Sequence, residues 1–83
     1  MTHIIKLQEP FWDAVFRGDK NFEVRFNDRG YQEGDYVKFI PVDKFGNHFP
    51  HAIEDKLYKI TYVLWYEGIQ EGYVAFGIKE AGQ

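Results

Sequence analysis

Residues 21 to 27, NFEVRFN, alternate without a break: Phe22, Val24 and Phe26 fall on one side, Glu23, Arg25 and Asn27 on the other. Successive side chains of an extended chain point to opposite faces, so this period of two predicts a half-buried β-strand. The expectation is that the apolar trio turns inward and packs with an amphipathic helix. The other face is unusual. A strand that only needs wetting can use Thr, Ser or Lys, whereas here an acid and a guanidinium stand two residues apart with Lys20 just upstream.

The remaining elements can be placed around that strand. HIIKL, residues 3 to 7, is short, β-branched and apolar, and reads as a first strand. EPFWDAVFRGD follows, with Pro10 suited to the first helical position and Gly18 to the position past the end, which predicts a helix over residues 10 to 17. Its spacing places Phe11, Val15 and Phe16 against Phe22, Val24 and Phe26 in one core, with Trp12 also buried and an Asp13–Arg17 ion pair outside. DRGYQEGD is a loop, and YVKFIPV a strand whose Pro41 marks its end or a sheet edge. Residues 43 to 52 form a turn or longer loop. LYKITYVLWY, residues 57 to 66, and YVAFGI supply the last strands, separated by the EGIQEG turn.

One early helix and several strands with non-local pairing predict a single α+β domain over residues 1–83, its mostly antiparallel strands closing or nearly closing into a small β-barrel. The core must rely on aromatic residues, 19% of the chain, because there is no cysteine. Lack of cysteine also excludes disulfides and thiolate zinc sites, and makes a cytoplasmic location the default expectation. The start of the chain lacks the pattern of a secretory signal, and no apolar run is long enough to span a bilayer. A formal net charge of −3 provides no global attraction to nucleic acid or anionic lipid, so contact with RNA would need a local basic patch.

A strand, a helix ending in glycine, then Lys20-Asn21-Phe22-Glu23-Val24-Arg25 and a loop ending in Gly34-Asp35 follow one another in an order that resembles the ASCH superfamily of PUA-like domains. The strings GDKNFEVRFNDRGYQEGDYVKF, ITYVL and EGYVAFGI are similar to a small uncharacterised ASCH-type family of bacteria and their phages. The resemblance covers nearly the whole chain. It implies a PUA-like barrel with one early helix packed on it, a cleft beside the helix lined by the K-x-x-E-x-R residues, and a role in RNA binding. One ASCH-type branch removes the acetyl group from acetylated cytidine with a lysine, a threonine three residues later and a late glutamate. Lys20 matches the lysine, but Glu23 stands at the threonine position, and the late acid corresponds to Glu67 or Glu71 without a settled alignment.

Two functional readings follow. In the first, Lys20, Arg25 and Arg29 form a basic rim that holds RNA phosphates or a nucleotide while Glu23 accepts from a base amino group. In the second, Glu23 is a general base and Lys20 stabilises an oxyanion during hydrolysis of an acylated nucleoside. Both compete with a plain solvated strand face carrying a surface ion pair. Strict alternation puts Lys20 on the face opposite Glu23, so the cluster needs a turn or bulge near residues 19 to 21.

Other candidates are weaker. His3 on the first strand either bonds into the cleft or caps a sheet edge. Asp28 reads as a turn cap, and turn chemistry does not call for Arg29. His48 and His51 flank Pro50 and make a poor metal site, so neither a metal nor another cofactor is expected. Trp65, Tyr66 and Tyr73 are candidates for base stacking that are more often core residues. No glycine-rich phosphate loop or nucleophile motif is present.

Overall fold

The computed structural model describes residues 1–81. In chain order the elements are β1 (Thr2–Gln8), a 3-10 turn (Glu9–Phe11), α1 (Trp12–Phe16), β2 (Phe22–Phe26), β3 (Tyr36–Val42), a second 3-10 turn (Ala52–Asp55), β4 (Tyr58–Leu64) and β5 (Tyr73–Glu80). The five strands make one mixed sheet in the order β1-β3-β4-β5-β2, curled into a half-barrel. β1 and β3 run parallel through seven paired residues, from Thr2 opposite Tyr36 to Gln8 opposite Val42. The other three pairings are antiparallel, as expected for most of the sheet.

β1 alternates cleanly, with His3, Ile5 and Leu7 buried, and its inner face meets Val37 and Phe39 of β3. β4 adds Tyr58 and Ile60, and β5 adds Val74, Phe76 and Ile78. β4 cannot keep one register against β5: Ile60 pairs with Ile78 and Tyr62 with Gly77, which leaves Thr61 as an extra, bulged residue. The bulge needs a glycine opposite it, since a Cβ on Gly77 would lie 2.7 Å from Thr61 Oγ1. It also turns Tyr62 outward, away from the face shared by Tyr58 and Ile60. Pro41 is tolerated inside β3 because the β4 ladder ends at Val37; beyond it the chain folds back on itself, with Val42 bridged to His48 and the Pro41 carbonyl accepting from the Phe49 N–H at 3.1 Å.

The predicted helix is real but short. Pro10 falls in the 3-10 turn that begins at Glu9, and only five residues are α-helical. Trp12 and Val15 are buried, and the Trp12 indole N–H donates to the Leu7 carbonyl at 2.7 Å, fastening α1 to the end of β1. Phe11 and Phe16 stay largely outside, and the expected Asp13–Arg17 pair is replaced by His51–Asp13 and Arg17–Asp19 pairs.

The largest correction concerns β2. Its alternation is as read, but the faces are reversed: Phe22, Val24 and Phe26 are 48%, 55% and 57% exposed, whereas Glu23 is 3% exposed. Glu23 lies opposite Phe76, whose ring packs on buried Tyr31 with centroids 4.7 Å apart. The interior is filled from the other four strands, α1, Tyr31 and Ile53 of the second 3-10 turn, which leaves the inward positions of β2 to Glu23 and the half-buried Arg25.

This reversal makes a direct prediction. Ile60→Val should cost about 1 kcal/mol in urea unfolding, as expected for one buried methyl group, while Val24→Thr should change stability by less than about 0.5 kcal/mol. A larger loss from Val24→Thr than from Ile60→Val would restore the apolar-inward register.

A clamped carboxylate at an open seam as the candidate site

The sheet's two outermost strands, β1 and β2, face each other without a hydrogen-bonded ladder. Within the ladder to β5, the Asn21 carbonyl accepts from the Ile78 N–H, and the Asn27 N–H donates to the Gly72 carbonyl. The odd-numbered residues of β2 therefore carry its bonds to β5, and the backbone groups of Phe22, Val24 and Phe26 point to the seam. One side chain crosses it. Arg25 Nη2 donates to the Lys6 carbonyl on β1 at 2.7 Å.

Glu23 organises the cluster. Its Oε1 accepts from Arg25 Nε at 3.0 Å and lies 2.9 Å from Nη2, while its Oε2 accepts from Lys20 Nζ. Lys20 converges despite the alternation because it is not yet on the strand. Gly18, with φ of 86°, turns the chain at the end of α1, and the Lys20 N–H donates back to the Ala14 carbonyl at 2.9 Å. From that turn its ammonium reaches Glu23, donates to the Phe22 carbonyl at 2.8 Å, and sits 5.0 Å from the ring centroids of both Phe11 and Phe22. The cluster opens into a cleft of about 350 Å3 walled by Lys6, Gln8, Phe11, Phe22 and Val24. A carboxylate removed from water but held on both oxygens by cations is a preorganised acceptor flanked by donors.

The other predicted residues are placed elsewhere. Arg29 lines a neighbouring cavity that shares Lys6 and Arg25 with the seam but excludes Lys20 and Glu23. His3 is buried away from both, donating through Nε2 to Asp35 Oδ2 at 2.8 Å and tilting against Tyr31. Glu67 and Glu71 lie in the turn before β5 and border neither cavity. Trp65, Tyr66 and Tyr73 are exposed, with Tyr73 edge-on to Phe26. His48 and His51 go to separate acids, Glu54 and Asp13, and among the described residues no three ligands gather for a metal.

Sequence reasoning passed over Lys6, Gln8 and Tyr31. Lys6 and Gln8 look like ordinary outward positions of β1. Tyr31 left one usable signal, as the only large apolar residue between Phe26 and Tyr36. Burial raises its hydroxyl above the ordinary tyrosine value, and the Arg25 and Arg29 charges oppose that shift.

The chain belongs to the family described as a domain of unknown function, DUF3850, whose model matches residues 2–78. Among curated proteins none matches it. No helix of the described residues is long and apolar enough to cross a membrane.

Two predictions follow from these contacts. Glu23→Gln leaves Lys20 and Arg25 without their shared counter-charge and should destabilise the domain by about 3 kcal/mol at neutral pH; a loss below about 1 kcal/mol would mark an ordinary surface pair. The second concerns acid stability. The hydrogen bond from His3 holds the Asp35 carboxyl below its ordinary value of 3.8, so its contribution is present above that pH and is lost as pH falls through the lower, folded-state value. Asp35→Asn should therefore be less stable than wild type at neutral pH, with the gap closing in acid urea titrations. A gap that stays constant with pH would contradict this.

Proposed function

We propose that the domain is a binding module for RNA or a nucleotide, with the base seated at the seam between β1 and β2. The observation carrying this reading is the buried Glu23 carboxylate, clamped by Lys20 and Arg25 where the sheet fails to close. A purely structural seam would be closed more simply by apolar side chains of similar volume. Here Glu23 can accept from an exocyclic amino group, the Arg25 fork can donate to a carbonyl or phosphate, and the Val24 backbone offers a further donor and acceptor. Phe11 and Phe22 add apolar wall to the cleft. We also read the half-barrel as an ASCH-type, PUA-like domain, since the three residues of its K-x-x-E-x-R motif meet at one point.

Hydrolysis of an acylated nucleoside is the second reading, and it draws less support. Glu23 stands where the hydrolytic branch has its threonine, and neither Glu67 nor Glu71 borders the cleft, so the hydroxyl and the late acid that this chemistry uses do not gather at the seam.

Binding to single-stranded RNA should weaken with salt at a shallow log–log slope of roughly −1.4 to −2, the value for two or three phosphate contacts. Lys20→Ala and Arg25→Ala should each weaken binding by about 1.5 to 3 kcal/mol, provided circular dichroism shows an intact fold. Arg25→Lys should recover part of the loss. Unchanged affinity in folded variants, or release of free acid from an acylated nucleoside in a reaction that Glu23→Gln abolishes, would overturn the binding-module reading.

A further inference from the structure

A second cavity, of about 520 Å3, opens beyond Arg25 between β1 and the loop after β2. Its charged lining is Lys6, Arg25 and Arg29 against Asp28, and its apolar wall includes Ile4 and Phe26. The excess of cations stands out in a chain whose formal net charge is −3. Among the described residues, neither Lys6 nor Arg29 forms an ion pair, whereas the cleft beside α1 has its Arg17 and Lys56 tied to Asp19 and Glu80. That cleft also takes in Lys79, which among the described residues has no such partner, but its one guanidinium is held by Asp19. In the cavity beyond Arg25 the Arg29 fork and the Lys6 ammonium stand beside an Arg25 already paired with Glu23, and they attract an anion by charge and by the planar donor geometry of arginine. Tyr31 lines the same cavity, with the Arg25 and Arg29 charges and the opposing Asp28 charge all close enough to act on its hydroxyl.

We propose that this cavity is a phosphate subsite, reading the phosphate of a nucleotide or RNA strand whose base occupies the seam, with Arg25 as the partition touching both. The inference rests on the seam reading and extends it: the ligand is a phosphorylated nucleoside rather than a free one, and Arg29 with Lys6 makes that distinction. Phe26, edge-on to Tyr73 with centroids 5.6 Å apart, borders the same cavity, so a strand leaving it meets an exposed aromatic pair.

The test is calorimetric titration of the intact chain with three probe sets: the four ribonucleosides, their 5′-monophosphates, and a mixed-sequence RNA hexamer. At least one monophosphate should bind about tenfold or more tighter than its nucleoside, as expected for a charge-assisted phosphate contact. Arg29→Ala should erase that advantage while leaving nucleoside affinity within about twofold, and Arg29→Lys should restore part of it. A hexamer that binds tighter than the monophosphates assigns the subsite to a phosphodiester strand; equal binding assigns it to a mononucleotide. Equal affinity for nucleoside and monophosphate, or an advantage that Arg29→Ala leaves untouched, would overturn the subsite. The seam reading would survive that result if Arg25→Ala still weakened nucleoside binding, whereas failure of every probe to bind would overturn both.

Discussion

The Glu23 carboxylate, held between Lys20 on one oxygen and Arg25 on the other, is the constraint around which the open side of this half-barrel is arranged. A buried carboxylate without partners would be prohibitively costly, so the fold must deliver two cations to it. One arrives along the strand, two residues on. The other arrives because α1 ends at Gly18 and the chain wraps back on the helix before β2 begins. Arg25 then reaches past Glu23 to the Lys6 carbonyl, so one cluster sets the separation of the two edge strands and shapes the spaces on either side.

Turning Glu23 inward has a cost on the opposite face. Phe22, Val24 and Phe26 are displaced to solvent, where Phe26 meets Tyr73 and Tyr62 is exposed by the bulge in β4. Apolar side chains on an outer sheet face are not what stability alone selects. The same alternation therefore produces both unusual features of β2, a charged interior and an apolar exterior.

Much of the fold was legible in the chain. YVKFIPV is a strand over the residues read, HIIKL lies within β1, and Pro10 and Gly18 bracket the helical segment. Local chemistry sets those features, through φ preference, capping and β-branching. The facing of β2 was not legible, because a period of two says which residues share a side and is silent on which side is inside; the usual assumption of apolar inward fails when the interior is filled from elsewhere. The parallel β1–β3 pairing and the Thr61 bulge depend on partners far along the chain. For the site, spacing puts Glu23 and Arg25 on one face but sets Lys20 on the other, and Lys20 joins them in the sequence reading only through the K-x-x-E-x-R resemblance; Lys6 and Tyr31 become visible only once β1 and β2 are set edge to edge. His3 is a candidate from its position on β1, and it lies buried against Tyr31 and bonded to Asp35, outside the lining of both cavities.

The central claim is that the clamp at the seam receives a ligand, and mapping the contact residue by residue tests it most directly. Backbone amide shifts followed by two-dimensional NMR during titration with ribonucleoside 5′-monophosphates should move first and furthest at residues 20 to 25 and at Lys6, on both sides of the seam. Shifts confined to the exposed aromatic face and the 65–72 turn, with Glu23 and its neighbours unmoved, would contradict the account.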